Sequence, residues 1–218
     1  MTRPAWFWLL GLGALFSGAA LVAHILTGLS LRLSLVFTAS LLGVAGWTAW
    51  RRAPGLRSRL RRSVARGAVA GLLAMLAYDF AKLTLSWLDP SPYNPFEAVR
   101  VFGMLLAGPG APGPVVWGAG MAFHALNAVS FGVAFQLLWG SKGVLAGIAW
   151  GLFLELFQLT LYPGWLDIRL YREFVQISAL SHVVYGAVLG VLCRGEKLRW
   201  IINSPPGSCH DVPAKRES

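Results

Sequence analysis

RGAVAGLLAMLAYDFAKLTL, at residues 66–85, decides the fold, because the chain carries a second version, KGVLAGIAWGLFLELFQLTL, at residues 142–161. The two stretches align without a gap at a shift of 76 residues. Most of the matches are glycine, alanine and leucine, which an apolar chain repeats by chance. The alignment also places Asp79 on Glu155, so two apolar segments carry a carboxylate at the same point. Because repeats set the architecture of a chain, this pattern predicts a duplicated unit.

Polar residues beyond these two carboxylates extend the match. Lys82 aligns with Gln158 at the same shift, and His124 aligns with His182 at a shift of 58 residues. The first copy is therefore longer by the difference between the two shifts, 18 residues. These extra residues include GPGAPG at 108–113, which cannot hold a helix.

The composition identifies the chain as a polytopic membrane protein. Of its 218 residues, 56% are hydrophobic and 13% are charged, whereas soluble domains carry about 25% charged residues. The net charge of +10 would suit nucleic acid, but the cationic residues occupy the gaps between long apolar runs. That placement indicates membrane topology and excludes a nucleic-acid partner. Two cysteines are too few for a disulfide framework.

Long apolar runs predict an all-α protein of six transmembrane helices, since about 20 helical residues cross a hydrocarbon core of about 30 Å. A cleaved signal peptide is the competing interpretation of the first run. That run continues past the small residues at 17–20, which disfavours cleavage. Residues 95–106 fit a short interfacial or re-entrant helix, because their apolar residues recur at helical spacing. The predicted spans are residues 5–29, 31–50, 67–87, 114–139, 143–162 and 173–192.

Seven arginines between residues 51 and 66 fix the expected orientation. By the positive-inside rule this segment is cytoplasmic, which places both termini in the cytoplasm and the protein in the inner (plasma) membrane. Helices three and five then run the same way, so the repeat is parallel, about an axis along the membrane normal. The predicted units are a two-helix N-terminal unit (1–50), a basic cytoplasmic linker (51–66), a first helical hairpin (67–139), a second helical hairpin (140–194) and a basic cytoplasmic tail (195–218).

Glycines recur in both copies with small-residue spacing. Gly67 and Gly71 match Gly143 and Gly147. Small residues let membrane helices approach closely, so these positions predict close packing of helix three on helix five.

Four titratable residues are expected at one depth in the membrane. A rise of about 1.5 Å per residue places Asp79, His124, Glu155 and His182 roughly 12 to 14 Å from the outer face. Charged groups are costly in hydrocarbon, so they are expected to face the bundle interior and one another. Carboxylates and imidazoles suit iron, manganese or zinc, which predicts a metal site of these four ligands. Supporting contacts are expected from Lys82, Asn127, Gln158 and Tyr185.

Other interpretations of these residues stay open. His124 and His182 could be the axial ligands of a haem b. A proton-coupled transporter is favoured by Lys82, whose cation is expected to pair with Asp79 and would oppose a bound metal. Each polar group could also be a contact between helices in a non-catalytic assembly or scaffold subunit. The expected partners are the lipid bilayer and a second copy or another membrane subunit.

Familiar catalytic motifs are absent from the sequence. There is no Gly-x-x-x-x-Gly-Lys phosphate loop, no Gly-x-Ser-x-Gly elbow, no Cys-x-x-Cys and no His-Glu-x-x-His. The sequence alone therefore leaves open whether the protein is an enzyme. Cys209 and His210, in the tail, are interpreted as incidental rather than as a metal pair.

Overall fold

Residues 4–140 and 142–194, which the computed structural model describes, form helices and connecting turns without a strand. A short 3-10 turn at Pro54–Leu56 separates two of the helices. The predicted basic tail, with Cys209 and His210, and the predicted contribution of Arg3 to topology lie outside these residues. Over the described residues the α-helices are α1 (Ala5–Gly13), α2 (Phe16–Thr27), α3 (Leu31–Arg52), α4 (Arg57–Leu88), α5 (Glu97–Ala107), α6 (Gly113–Leu138), α7 (Val144–Trp165) and α8 (Tyr171–Cys193).

Five of these helices, α3, α4, α6, α7 and α8, are long and apolar enough to cross a membrane. The pair α1–α2 passes the same criterion together but is bent by 45°, so the number of spans is five or six by length and composition. The predicted first helix over 5–29 is divided into α1 and α2, which together still meet the length and composition of one span. Gly13 has low helix propensity, and the Leu15 N–H bonds to the Leu12 carbonyl in a tighter turn, which ends α1 there. The chain is a multi-pass membrane protein.

The basic segment 51–66 is helical rather than an open linker. Helix α3 continues to Arg52 and α4 already begins at Arg57, because arginine is a good helix former and only Pro54 and Gly55 interrupt the run. Helix α4 has 32 residues, about 48 Å, which exceeds a hydrocarbon core of about 30 Å. Its first turns therefore extend beyond the apolar part of the bundle, at what we call the arginine-rich end.

Close backbone contacts join the helices within each hairpin. A Cβ at Gly71 would meet the carbonyl oxygen of Ala128 in α6, and one at Gly147 would meet that of Gly186 in α8. The expected packing of helix three on helix five through these glycines was wrong. Helix α4 instead packs along α6 and α8, and α7 packs along α8. The glycines bring together long helices that follow each other along the chain, because consecutive antiparallel helices are neighbours.

Helix α5 confirms the predicted short helix between the long ones. It lies against α6, where Gly103 and Gly120 bring the two backbones together at the carbonyls of Val116 and Val99. The turn before it is held by Asp89, whose Oδ1 accepts the Ser91 N–H at 2.8 Å. This bond lowers the pKa of the Asp89 carboxyl, since it stabilises the charged form. The end of the bundle that holds Asp89 and the start of α5 lies away from the arginine-rich end, and we call it the opposite end.

The last two helices differ slightly from the expected bounds. Helix α7 passes through Pro163 and ends at Trp165, rather than stopping at residue 162. Proline removes one N–H in the last turn of the helix, where few backbone hydrogen bonds follow it. The Leu166 N–H still bonds to the Tyr162 carbonyl. Helix α8 closely matches its predicted span.

Candidate functional site

The first two helices of the site meet through a carboxylate and an imidazole. Asp79 lies on α4 and His124 on α6, and Nε2 of His124 is 2.9 Å from Oδ1 of Asp79. Both side chains are 18% exposed, so the contact is mostly removed from the surface. A carboxylate accepts hydrogen bonds, so Nε2 donates, and in the neutral ring Nδ1 is left as an acceptor.

The second pair joins α7 to α8 and is more deeply buried. Nδ1 of His182 lies 2.8 Å from Oε2 of Glu155 and 3.0 Å from the carbonyl oxygen of Ser178. Both neighbours are acceptors, so Nδ1 carries the hydrogen. The Ser178 hydroxyl donates to the same Glu155 oxygen at 2.8 Å. Oε1 of Glu155 is buried without a hydrogen-bond partner among the described residues.

Tyr78 lies against both imidazoles. Its ring centroid is 6.0 Å from that of His124 and 4.8 Å from that of His182. The tyrosine hydroxyl interacts with the side chains of Ser178 and Gln158. One phenol thus links the two carboxylate–imidazole pairs, which belong to different hairpins.

Both imidazoles line a cavity of about 370 Å³ bounded by α2, α6 and α7, with Tyr78 of α4 and His182 and Tyr185 of α8. Most of its wall is aliphatic or aromatic. The polar lining consists of the histidines, the tyrosines and two amides, Asn127 and Gln158. Phe153 and Phe157, on the α7 side, are 42% and 43% exposed, so this rim reaches the surface that faces lipid.

The predicted pairing of Lys82 with Asp79 was wrong. Asp79 pairs with His124, and Lys82 makes no ion pair among the described residues. Its Nζ lies 5.0 Å from the ring centroid of Tyr78 and 5.9 Å from that of Phe96. Lys82 and Tyr78 are four residues apart and share a helix face, and the Asp79 carboxylate is turned to His124 of α6. The lysine is nevertheless buried, at 7% exposure.

The four predicted ligands form two pairs. Within the part of the chain that the structure describes, no group of three or more His, Cys, Asp or Glu side chains could hold a metal ion. Zinc sites use at least three protein ligands. The structure therefore brings Asp79 to His124 and Glu155 to His182 without joining them around one point.

The predicted supporting residues divide between the pairs and the cavity. Gln158 Nε2 lies 3.4 Å from His182 Nε2, which fits a neutral ring accepting from an amide. Asn127 lines the cavity, and its Oδ1 is buried without a partner among the described residues. The Tyr185 hydroxyl donates to the Ala128 carbonyl at 3.4 Å, which keeps it away from both carboxylates.

Two residues of the site were missed from the sequence, Tyr78 and Ser178. Ser178 lies four residues before His182, the spacing that places two side chains on one helix face. Tyr78 precedes Asp79 directly, and the alignment at a shift of 76 residues places it on Leu154 rather than on another tyrosine. The spacing of Ser178 from His182 was visible in the sequence. Tyr78 was missed because only polar positions that match between the two stretches were considered.

Comparison with protein-family models, with curated proteins and with solved structures gives no match for this chain.

Proposed function

We propose that this multi-pass membrane protein binds a lipophilic molecule with a hydrogen-bonding head in the α2–α6–α7 cavity, and exchanges a proton with that head. One observation carries the proposal: His124 and His182, each held by a carboxylate, line the same apolar cavity. Its volume of about 370 Å³ falls within the usual range of ligand pockets, about 300–1,000 Å³.

The lining indicates a ligand with an apolar body. The aliphatic residues of α2 and the phenylalanines of α6 and α7 offer no polar group. A polar solute would lose its hydration there without replacement, which costs several kcal/mol per group. The rim at Phe153 and Phe157 lies on the lipid-facing surface, so such a ligand enters from the hydrocarbon phase.

The polar part of the wall indicates where the head of the ligand lies. Asn127 Oδ1 is a buried acceptor, and the free ring nitrogen of His124 is a second acceptor on the same helix. A hydroxyl or amine head would satisfy these atoms. A buried polar group left without a partner costs about 1–3 kcal/mol, which gives the head a definite position.

The two carboxylates suit the histidines to acid–base chemistry. A carboxylate bonded to one ring nitrogen fixes the tautomer and orients the other nitrogen, as in serine hydrolases. It also stabilises the imidazolium that forms when the ring takes a proton. His124 is the candidate general base, held by Asp79, and His182 with Glu155 forms the second, more deeply buried pair.

Proton-coupled transport is the second candidate function. It is favoured by Tyr78, which contacts both imidazoles and whose hydroxyl interacts with Ser178 and Gln158. Such a chain of polar groups within a membrane suits proton transfer between sites. The two functions share the cavity and the pairs and differ in whether the ligand leaves changed or unchanged.

An internal repeat supports the equivalence of the two pairs. The contact between Gly71 and the Ala128 carbonyl recurs, at the same shifts of 76 and 58 residues, between Gly147 and the Gly186 carbonyl. Hairpins α4–α6 and α7–α8 are then two copies of one unit, each with its own carboxylate and imidazole.

The metal interpretation is a separate hypothesis with its own test. Iron, manganese or zinc bound by Asp79, His124, Glu155 and His182, or haem b with His124 and His182 as axial ligands, would appear in metal analysis or in the visible spectrum of purified protein. Stoichiometric metal that is lost in both His124→Ala and His182→Ala would replace the proposal above. If neither metal nor a ligand is found, the scaffold interpretation stands.

Binding of a fluorescent lipophile, aminoanthracene, to the protein in nanodiscs tests the cavity. Ala19→Trp fills the α2 wall and is expected to abolish the fluorescence gain, whereas Ala23→Trp, outside the lining, keeps it. Decanol is expected to displace the probe better than decane, because only the alcohol satisfies the polar wall. Equal displacement by the two would contradict the hydrogen-bonding head.

Nuclear magnetic resonance of isotope-labelled histidine tests the proton exchange. The chain has four histidines, which His→Gln variants assign one by one. Decanol is expected to shift the ring signals and titration curves of His124 and His182. His24 is the matched control. Its Nδ1 bonds the Leu29 carbonyl at 2.6 Å, and the residue does not line the cavity. Saturating decanol without any shift at His124 or His182 would rule the proposal out.

A further inference from the structure

Six cations at the arginine-rich end have no carboxylate partner among the described residues. They follow the end of α3 and the start of α4, and all but Arg57 are exposed. The described acids lie elsewhere: Asp79 and Glu155 are in the middle of their helices, and the others are at the opposite end. The cations are Arg51, Arg52, Arg57, Arg59, Arg61 and Arg62.

Arginines at the opposite end are different, because most are balanced by neighbouring acids. Arg100 pairs with Glu97, and Arg169 lies 3.4 Å from Asp167. Arg172 acts on Asp89, whose pKa it helps to lower. The imbalance of charge is therefore particular to one end of the bundle and does not follow from the composition of the whole chain.

Three of the six guanidinium groups are held over aromatic rings. Arg51 lies 4.6 Å from the ring centroid of Trp47, and Arg57 lies 5.2 Å from that of Trp50. Arg57 also donates from Nε to the Trp50 carbonyl at 2.8 Å. Arg59 lies 5.1 Å from the ring of Phe7 on α1. These contacts fix cations at the depth where tryptophan marks the membrane interface.

An apolar strip runs from these arginines along α3 toward the middle of the bundle. Leu41, Val44 and Trp47 are 56%, 65% and 61% exposed, at helical spacing. A ligand that uses both the cations and this strip must carry an anionic group on a long apolar chain. A soluble anion would use only the cations.

We infer that the arginine-rich end binds anionic phospholipid, with the headgroup phosphate at Arg51, Arg57 and Arg59 and an acyl chain along Leu41, Val44 and Trp47. Basic side chains beside a membrane attract anionic lipids, and planar guanidinium groups bind phosphate through paired hydrogen bonds. The site is independent of the cavity and of its proposed function.

Native mass spectrometry of the detergent-solubilised full chain tests this inference. Phosphatidylglycerol and phosphatidylcholine with the same acyl chains are added, and the bound lipid is counted. The wild type is expected to retain phosphatidylglycerol in preference to phosphatidylcholine. The preference should fall about tenfold or more in the triple variant Arg51→Gln, Arg57→Gln, Arg59→Gln, since each basic side chain contributes roughly fivefold.

Two further variants separate lipid binding from charge and folding. The triple variant Arg100→Gln, Arg169→Gln, Arg172→Gln removes the same charge from the opposite end and should keep the preference. The triple variant Arg51→Lys, Arg57→Lys, Arg59→Lys keeps the charge and should retain most of the preference. Glycerol phosphate, the same anion without acyl chains, should not displace the lipid. Equal retention of both lipids by the wild type, or displacement by glycerol phosphate, would overturn the inference.

Discussion

Nδ1 of His182 lies 2.8 Å from Oε2 of Glu155, with the two residues 5% and 1% exposed. The carboxylate and the imidazole are thus almost completely removed from solvent. A buried carboxylate needs hydrogen-bond donors around it, and the Ser178 hydroxyl supplies one here.

Glu155→Gln is expected to lower the free energy of unfolding by about 1–2 kcal/mol, because a hydrogen bond to a charged group is stronger than one between neutral groups. Unfolding by denaturant in mixed micelles measures the change. Glu97→Gln is the control: this exposed residue pairs with Arg100 at the surface, and its loss should cost about 0.5 kcal/mol or less. Equal effects of the two substitutions would mean that the buried pair is not a special contact.

Tyr78→Phe is expected to cost about 1 kcal/mol of stability while keeping aminoanthracene binding, since the ring stays and only the hydroxyl contacts with Ser178 and Gln158 are lost. Tyr185→Phe removes a long bond of 3.4 Å to the Ala128 carbonyl and should cost less. Stability and probe binding are measured on the same samples. A larger loss in Tyr185→Phe would contradict the linking role of Tyr78.

Gly71→Ala and Gly147→Ala are each expected to destabilise the protein by about 1–3 kcal/mol, because the added methyl group would meet a backbone carbonyl that cannot move aside. Gly43→Ala, on α3 with nothing near the added carbon, is the matched control and should be neutral or stabilising by about 0.5–1 kcal/mol. Thermal unfolding of the three variants is compared. Tolerance at Gly71 and Gly147 would contradict the close packing within each hairpin.

The orientation can be read with single cysteines in a Cys193→Ser, Cys209→Ser background. Ser58→Cys lies at the arginine-rich end, and Arg169→Cys replaces an exposed side chain at the opposite end. In intact cells a membrane-impermeant maleimide should label position 169 directly and position 58 only after permeabilisation, because basic segments stay in the cytoplasm. The reverse pattern would show that the positive-inside rule fails for this chain.

Much of the fold could be predicted because hydropathy alone finds long apolar helices in a membrane protein. The break between α1 and α2 was missed because glycine is common in membrane helices and Gly13 carries no stronger signal. The start of α4 was missed because arginines were interpreted as a linker, although they favour helix as well as topology.

The site was predicted in part: the sequence pointed to its titratable residues but not to which of them contact each other. Matching polar positions found Asp79, His124, Glu155 and His182, which the structure joins as two pairs. Lys82 was assigned to Asp79 by its spacing of one helical turn, but spacing along α4 could not show that His124 of α6 contacts this carboxylate. The cavity could not be predicted, because its wall combines residues of α2 with residues of α6 and α7, and the sequence of α2 shows only an apolar run.

The helix interfaces of the bundle are formed by residues of different kinds. Glycine brings backbone against backbone between α4 and α6 and between α7 and α8, whereas α6 and α7 meet through large rings such as Phe135 and Trp150, 6.1 Å apart. Between the hairpins, α4 also packs along α8, and none of the close glycine contacts of the described residues lies in that interface. The backbone-to-backbone contacts therefore tie the helices within each hairpin rather than one hairpin to the other.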